Sequence, residues 1–141
     1  MDICIDFDGT CVSHEFPKVG KDIGAVPVLK KLLKNGHRLI LYTMRSNISK
    51  VKTIDNNICD KPDNYLTDAV MWFCENKIEL YGINKNPTQH GWTNSPKVYG
   101  QLYIDDSGLG IPLTYNSEIS LKPYVNWKIV EKMLINKGLI K

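Results

Sequence analysis

Short apolar strands that alternate with amphipathic helices predict a three-layer α/β fold, a parallel sheet with helices on both faces. Three observations carry the prediction. Apolar runs end in acids or a hydroxyl, helical stripes closed by glycine lie between them, and the two kinds of segment take turns along the chain. Ile3 to Asp6 (ICID) reads as the first buried strand and His37 to Thr43 (HRLILYT) as the second. Between them Ala25, Val28, Leu29, Leu32 and Leu33 recur at helical spacing with Gly36 behind, which places Pro27 in the first turn of a helix. A second stripe, Leu66, Ala69, Val70, Phe73 and Cys74, precedes a short strand near Glu79 to Ile83. Gln101 to Asp105 (QLYID) is a further strand ending in acid. Pro112 to Tyr115 reads as a last strand, and a closing helix from about Asn126 to Asn136 carries Ile129, Val130, Met133 and Leu134 on one face.

The chain has 141 residues without a repeat, a low-complexity tract or a Gly/Ser linker, so residues 1–141 are expected to form one domain. At 43% hydrophobic and 23% charged residues it can build a packed core and lacks the signature of disorder. No apolar run approaches the ~18 residues of a membrane span, and the first ten residues form a strand rather than a basic leader, so membrane and secreted readings are poor. Cys4, Cys11, Cys59 and Cys74 show no CxxC spacing, which suits free thiols in the cytoplasm. The 18 Lys and Arg against 15 Asp and Glu give a formal charge of +3, too small an excess to make nucleic acid an expected partner.

In a parallel sheet, ligands bind beyond the carboxyl ends of the strands, and Asp6, Thr43 and Asp105 each end a different predicted strand. The strongest local signal is Asp6-Phe7-Asp8-Gly9-Thr10. In an extended chain, carboxylates two residues apart point the same way, and Gly9 allows a sharp turn beside them. Acids crowded at a strand end are costly unless a cation or a shared proton compensates them. A hard divalent cation, Mg²⁺, resolves that cost, and Asp105 with Asp106 supplies further oxygen ligands.

These residues give the chain its resemblance to the haloacid dehalogenase-like (HAD) superfamily. DFDGT is similar to the DxDxT motif, Thr43 closing LILYT to the second-motif hydroxyl, Lys97 in SPK to the third-motif lysine, and YIDD at 103–106 to the acidic fourth motif, in the superfamily's order. The IDFDGT, TMRS and SPKVYGQLYIDD stretches also resemble a group of small capless hydrolases. The resemblance covers about residues 2–115 and leaves the C-terminal helix as an addition to a Rossmann-like (HAD-like) core. It implies that Asp6 is a nucleophile forming an aspartyl-phosphate and that Asp8 is the acid for the leaving group and then the base for water. Thr43 and Lys97 would hold phosphoryl oxygens, Lys97 being favoured over Lys85. Mg²⁺ would be bound by Asp6, the Asp8 main-chain carbonyl and Asp105, with Asp106 close by.

Arg45 is a candidate second phosphate contact through its planar fork, with a surface role weighed equally against it. His14, His37 and His90 read as structural or solvent-exposed, and Lys30, Lys31 and Lys34 as a solvated helix face. Superfamily caps are inserted after the first motif or between the second and third. Here 37 positions separate Asp6 from Thr43 and 54 separate Thr43 from Lys97, which leaves no room for a folded cap domain. An open site then relies on loops, on a second copy in a homo-oligomer, or on an extended substrate. Two loops stand out: Ser46 to Tyr65, long and polar, and Asn84 to Pro96, where Trp92 among turn residues can stack on a base or sugar or pack its own loop. The expected function is a Mg²⁺-dependent phosphomonoester phosphatase acting on a small phosphorylated metabolite or nucleotide. Its rival is a binding protein that captures a nucleotide-type ligand, and a polynucleotide end-phosphatase ranks third.

Overall fold

The computed structural model describes residues 1–48, 51–52, 58–59 and 63–141. In chain order, β1 (Asp2–Ile5), α1 (Ala25–Lys34) and β2 (Arg38–Leu41) make the first crossover unit. The short pieces β3 (Asn47–Ile48), β4 (Val51–Lys52), β5 (Ile58–Cys59) and β6 (Asp63–Asn64) lead into α2 (Tyr65–Glu75) and β7 (Gly82–Ile83). After a 3₁₀ turn at Gln89–Gly91 come β8 (Leu102–Ile104), β9 (Leu113–Thr114), β10 (Tyr124–Val125) and α3 (Trp127–Asn136).

The expected architecture is present: a four-stranded parallel sheet in the order β7-β2-β1-β8, flanked by helices, Rossmann-like and without a cap domain among the described residues. All four residues of β1 and the last three of β2 are buried, as strands covered on both faces require. Ile3, Ile5, Leu39, Leu41 and Ile104 join the core built with Leu29 and Leu32 of α1, Phe73 of α2, and Val130 and Leu134 of α3. The alternate residues Cys4 and Ile40 form a separate small cluster with Val98 and Tyr81. Crossover handedness explains the division. Steps from β1 to β2 and from β2 to β7 run the same way across the sheet and put α1 and α2 in one layer, whereas the step back from β7 to β8 carries residues 84–101 across the other face.

Helix α1 begins where Asp22 Oδ1 accepts the main-chain N–H groups of Ala25 and Val26 at 2.9 and 3.2 Å, and Pro27 sits in its first turn. It ends at Gly36, whose φ of 80° lets His37 N–H return to Leu32 O at 3.1 Å. The predicted last strand is found at Leu113–Thr114, but it pairs antiparallel with Tyr124–Val125 outside the main sheet. In the predicted loop at 46–65, residues 49–50, 53–57 and 60–62 lie outside the described residues. The remainder pairs as two antiparallel ladders, β3 with β6 and β4 with β5.

The C-terminal helix is more than an addition. Trp127 Nε1 donates to Thr10 O at 2.6 Å, and Val125 N–H donates to Gly9 O at 2.9 Å, so the last elements brace the loop that follows β1. No helix among the described residues is long and apolar enough to cross a membrane.

Candidate functional site

The strand register sets the positions of the acids. Ile5 lies opposite both Leu41 and Ile104, so Asp6 leaves the sheet level with Tyr42 and Asp105. Its N–H donates to Ile104 O at 3.0 Å, which extends the ladder one residue beyond the strand. The chain then wraps around one carbonyl: the N–H groups of Thr10, Cys11 and Val12 all point to Phe7 O, at 3.2, 2.8 and 3.2 Å. Gly9, at φ 78°, makes the turn possible, and a Cβ there would overlap the His14 imidazole and lie 2.7 Å from Asp106 Oδ2.

Asp6, Asp105 and Asp106 each present a carboxylate oxygen, and these oxygens lie within 4.8 Å of one another. Burial first, and then the charges of Asp105 and Asp106, push the Asp6 carboxyl up to about 7. Burial likewise raises Asp106, against the pull of His14, whose Nε2 lies 3.2 Å from Asp106 Oδ2. A set made wholly of hard oxygen donors, with its ionised form disfavoured, fits Mg²⁺ better than a softer metal.

Thr10 ties this cluster together. Its hydroxyl donates to Asp6 Oδ2 at 2.9 Å and accepts the Asp106 N–H at 3.0 Å, and the residue is fully buried. Replacing Thr10 by Val keeps the shape but leaves the Asp106 N–H without its acceptor, and is expected to cost about 1–3 kcal/mol, with Thr10→Ser recovering most of it. Denaturant unfolding of the two variants measures the difference.

Asp8 is held elsewhere. Arg45 Nε donates to Asp8 Oδ2 at 2.7 Å and Nη2 to Asp8 Oδ1 at 2.8 Å, a bidentate pair. The remaining guanidinium N–H groups go to the carbonyls of Pro17 (3.3 Å), Tyr65 (3.2 Å) and Lys18 (2.9 Å). The Arg45 side chain is 1% exposed, and its Cζ lies 5.0 Å from the Phe7 ring centroid and 5.1 Å from that of Phe16. All five N–H donors of Arg45 are thus committed to protein acceptors. Neither the candidate phosphate contact nor the surface role weighed against it matches this placement: buried and with no guanidinium N–H left over, Arg45 clamps the Asp6–Asp8 loop to residues 17–18 and to the start of α2.

Thr43 stands at the same sheet edge, half-buried. Its N–H donates to Asn84 Oδ1 at 2.8 Å and its Oγ1 accepts the Arg45 N–H at 3.2 Å. Lys97 is exposed, with its ammonium 5.6 Å from the centroid of Tyr103, and no salt bridge joins it to the acids among the described residues. Lys85 is exposed on the rim of a groove of about 580 Å³ in the 84–101 layer, whose walls include Asn86, Gln89 and His90.

Trp92 packs edge-on against Tyr99 with centroids 5.3 Å apart. The Tyr99 carbonyl is bound by Asn86, which also holds Asp2 at the opposite end of β1 from Asp6. Trp92 thus packs within its own loop while remaining 64% exposed, and its contacts lead toward the end of β1 opposite Asp6. His14, read from sequence as structural or solvent-exposed, has its ring against Asp106 and 3.1 Å from Pro123 O, and its N–H on Ser120 Oγ at 2.9 Å. The roles of Thr10 and His14 in organising the acids have no signature in periodicity, because they depend on where the turn after Gly9 points.

No family model and no curated protein matches the sequence. Among solved structures, a conserved protein from Bacteroides thetaiotaomicron is 32% identical, covering 97% of this chain and 91% of its own, with a TM-score of 0.70. The chain belongs to that protein's family. Family membership extends over both the sheet that carries the acids and the C-terminal elements that brace them, since nearly the whole chain is matched.

Proposed function

We propose that the protein is a Mg²⁺-dependent phosphomonoester phosphatase of the HAD-like type, acting on a small phosphorylated metabolite or nucleotide through an Asp6 phosphoenzyme. The observation that carries the reading is the convergence of Asp6, Asp105 and Asp106 within 4.8 Å at the carboxyl edge of a parallel sheet. Asp6, Asp105 and Asp106 would hold the cation, which when bound offsets the charge of an incoming phosphate. An Asp6 oxygen then forms a bond to phosphorus as the ester oxygen leaves, and water later cleaves the acyl phosphate to regenerate Asp6. Thr43 is at hand to donate to a phosphoryl oxygen, and Lys97 would have to swing from Tyr103 to do the same.

One observation favours the second reading, a capture protein with little turnover. Both Asp8 oxygens are engaged by Arg45, so service as proton donor and acceptor requires Asp8 to turn away from the guanidinium. Phosphate release from a panel of phosphomonoesters and nucleotides, with Mg²⁺ and with chelator, separates the two. Turnover that needs Mg²⁺ supports the phosphatase. Ligand-induced stabilisation without release supports capture.

A further inference from the structure

We propose that Phe16 is the stacking platform for the leaving group, and that the ligand is the monophosphate ester of a planar aromatic group, a nucleoside or an aryl alcohol. The inference rests on the reading above for the location of the phosphoryl group at Asp6. Three rings and one guanidinium gather beside Asp8. Phe7 is fully buried, the Arg45 Cζ lies over both the Phe7 and the Phe16 ring, at 5.0 and 5.1 Å from their centroids, and Tyr65 meets Phe16 edge-on with centroids 5.1 Å apart. Phe16 is nevertheless 56% exposed. A large ring held rigidly by its neighbours and still open to solvent is a low-entropy contact surface.

Its position gives it meaning. The guanidinium packed on Phe16 is the one that grips Asp8 at 2.7 and 2.8 Å, two residues from Asp6, which places this ring on the Asp8 side of the proposed phosphate position. With no cap domain among the described residues, a planar group laid on Phe16 would itself shield the Asp8 side of the site from water. Trp92 does not compete for this role, since it is tied through Tyr99 and Asn86 to the opposite end of β1. A residue needed merely to cover Arg45 could be any apolar side chain, so an aromatic requirement separates the two roles.

Titration calorimetry on the Asp6→Asn protein with Mg²⁺ tests the proposal without depending on turnover. The probes are adenosine 5′-monophosphate, phenyl phosphate and glycerol phosphate. At least one aromatic ester is expected to bind about tenfold more tightly than glycerol phosphate, an advantage lost in Phe16→Leu and retained in Phe16→Tyr. An advantage shared by phenyl phosphate assigns it to the ring alone, and one confined to the nucleotide assigns it to the nucleoside. Absence of the advantage in the starting protein, its persistence in Phe16→Leu, or failure of all three probes to bind both the Asp6→Asn protein and the wild type with Mg²⁺ overturns the platform. Failure of the wild type to release phosphate while Phe16-dependent binding persists overturns the phosphatase reading alone.

Discussion

Asp6→Asn is expected to abolish Mg²⁺-dependent phosphate release, by about a thousandfold or more, and at the same time to make the metal-free protein more stable. On the proposed reading, the first effect follows from removing the nucleophile and one cation ligand together. The second follows from linkage. The carboxyl of Asp6 sits at about 7 in the folded chain against 3.8 in its ordinary state, chiefly because of burial. A group raised on folding binds its proton more tightly in the native state, so stability falls as pH rises through the interval between 3.8 and about 7, and the full cost is present above it. An amide carries no such cost and can still accept the Thr10 hydroxyl. The expected gain for Asp6→Asn is about 1–3 kcal/mol at pH 8 in chelator, shrinking toward zero near pH 4. If the proposed site takes Mg²⁺ in its ionised form, added Mg²⁺ should stabilise the wild type more than the variant. Thermal melts at both pH values, with and without Mg²⁺, are the measurement, and a lower melting temperature for the variant at pH 8 in chelator would contradict the account.

Arg45→Met is expected to be the most destabilising single change at the site, at about 3–5 kcal/mol. It leaves the Asp8 carboxylate without its bidentate partner and removes the donors to the carbonyls of Pro17, Lys18 and Tyr65. For a chain of this size that is a fall in melting temperature of about 10–17 °C. Arg45→Lys should recover less than half, because an ammonium offers three donors where five are used and cannot span both Asp8 oxygens in plane. Adding Asp8→Asn to Arg45→Met should restore part of the loss, because the unpaired carboxylate is then gone. A double-mutant cycle by chemical denaturation reads that coupling, and additive losses would show that the pair does not hold the loop.

Much of the fold was legible because burial on two faces imposes continuous apolar strands, and ICI of β1 and LIL of β2 carry that mark, whereas the edge strand β8 keeps Tyr103 exposed and shows only a short apolar run. Asp6, Asp105 and Asp106 were legible for a related reason: a carboxylate at the end of such a strand has no reason to be there unless it faces the sheet edge. Arg45 illustrates what was not. Its role depends on three carbonyls from residues 17, 18 and 65, and a sequence shows no trace of which acceptors a guanidinium will meet. Trp92 illustrates another limit. Composition marks it as a stacking residue, yet the hand of the crossover from β7 to β8 decides which layer its loop joins, and hydrogen bonds to Asp2 decide which end. The β10 strand went unmarked because two residues are too few to show any period.

The bracing of the Gly9–Thr10 turn by Val125 and Trp127, and of His14 by Ser120 and Pro123, has a consequence for how the site is assembled. The three acids lie within residues 6–106, but the loop that aims them is secured by residues 120–127. The acids can therefore be arranged only once a separate downstream segment has docked. Cleavage between Asn116 and Ser120 would put the acids on one fragment and the brace on another, and the affinity of the two fragments for each other would report how strongly the brace holds the turn.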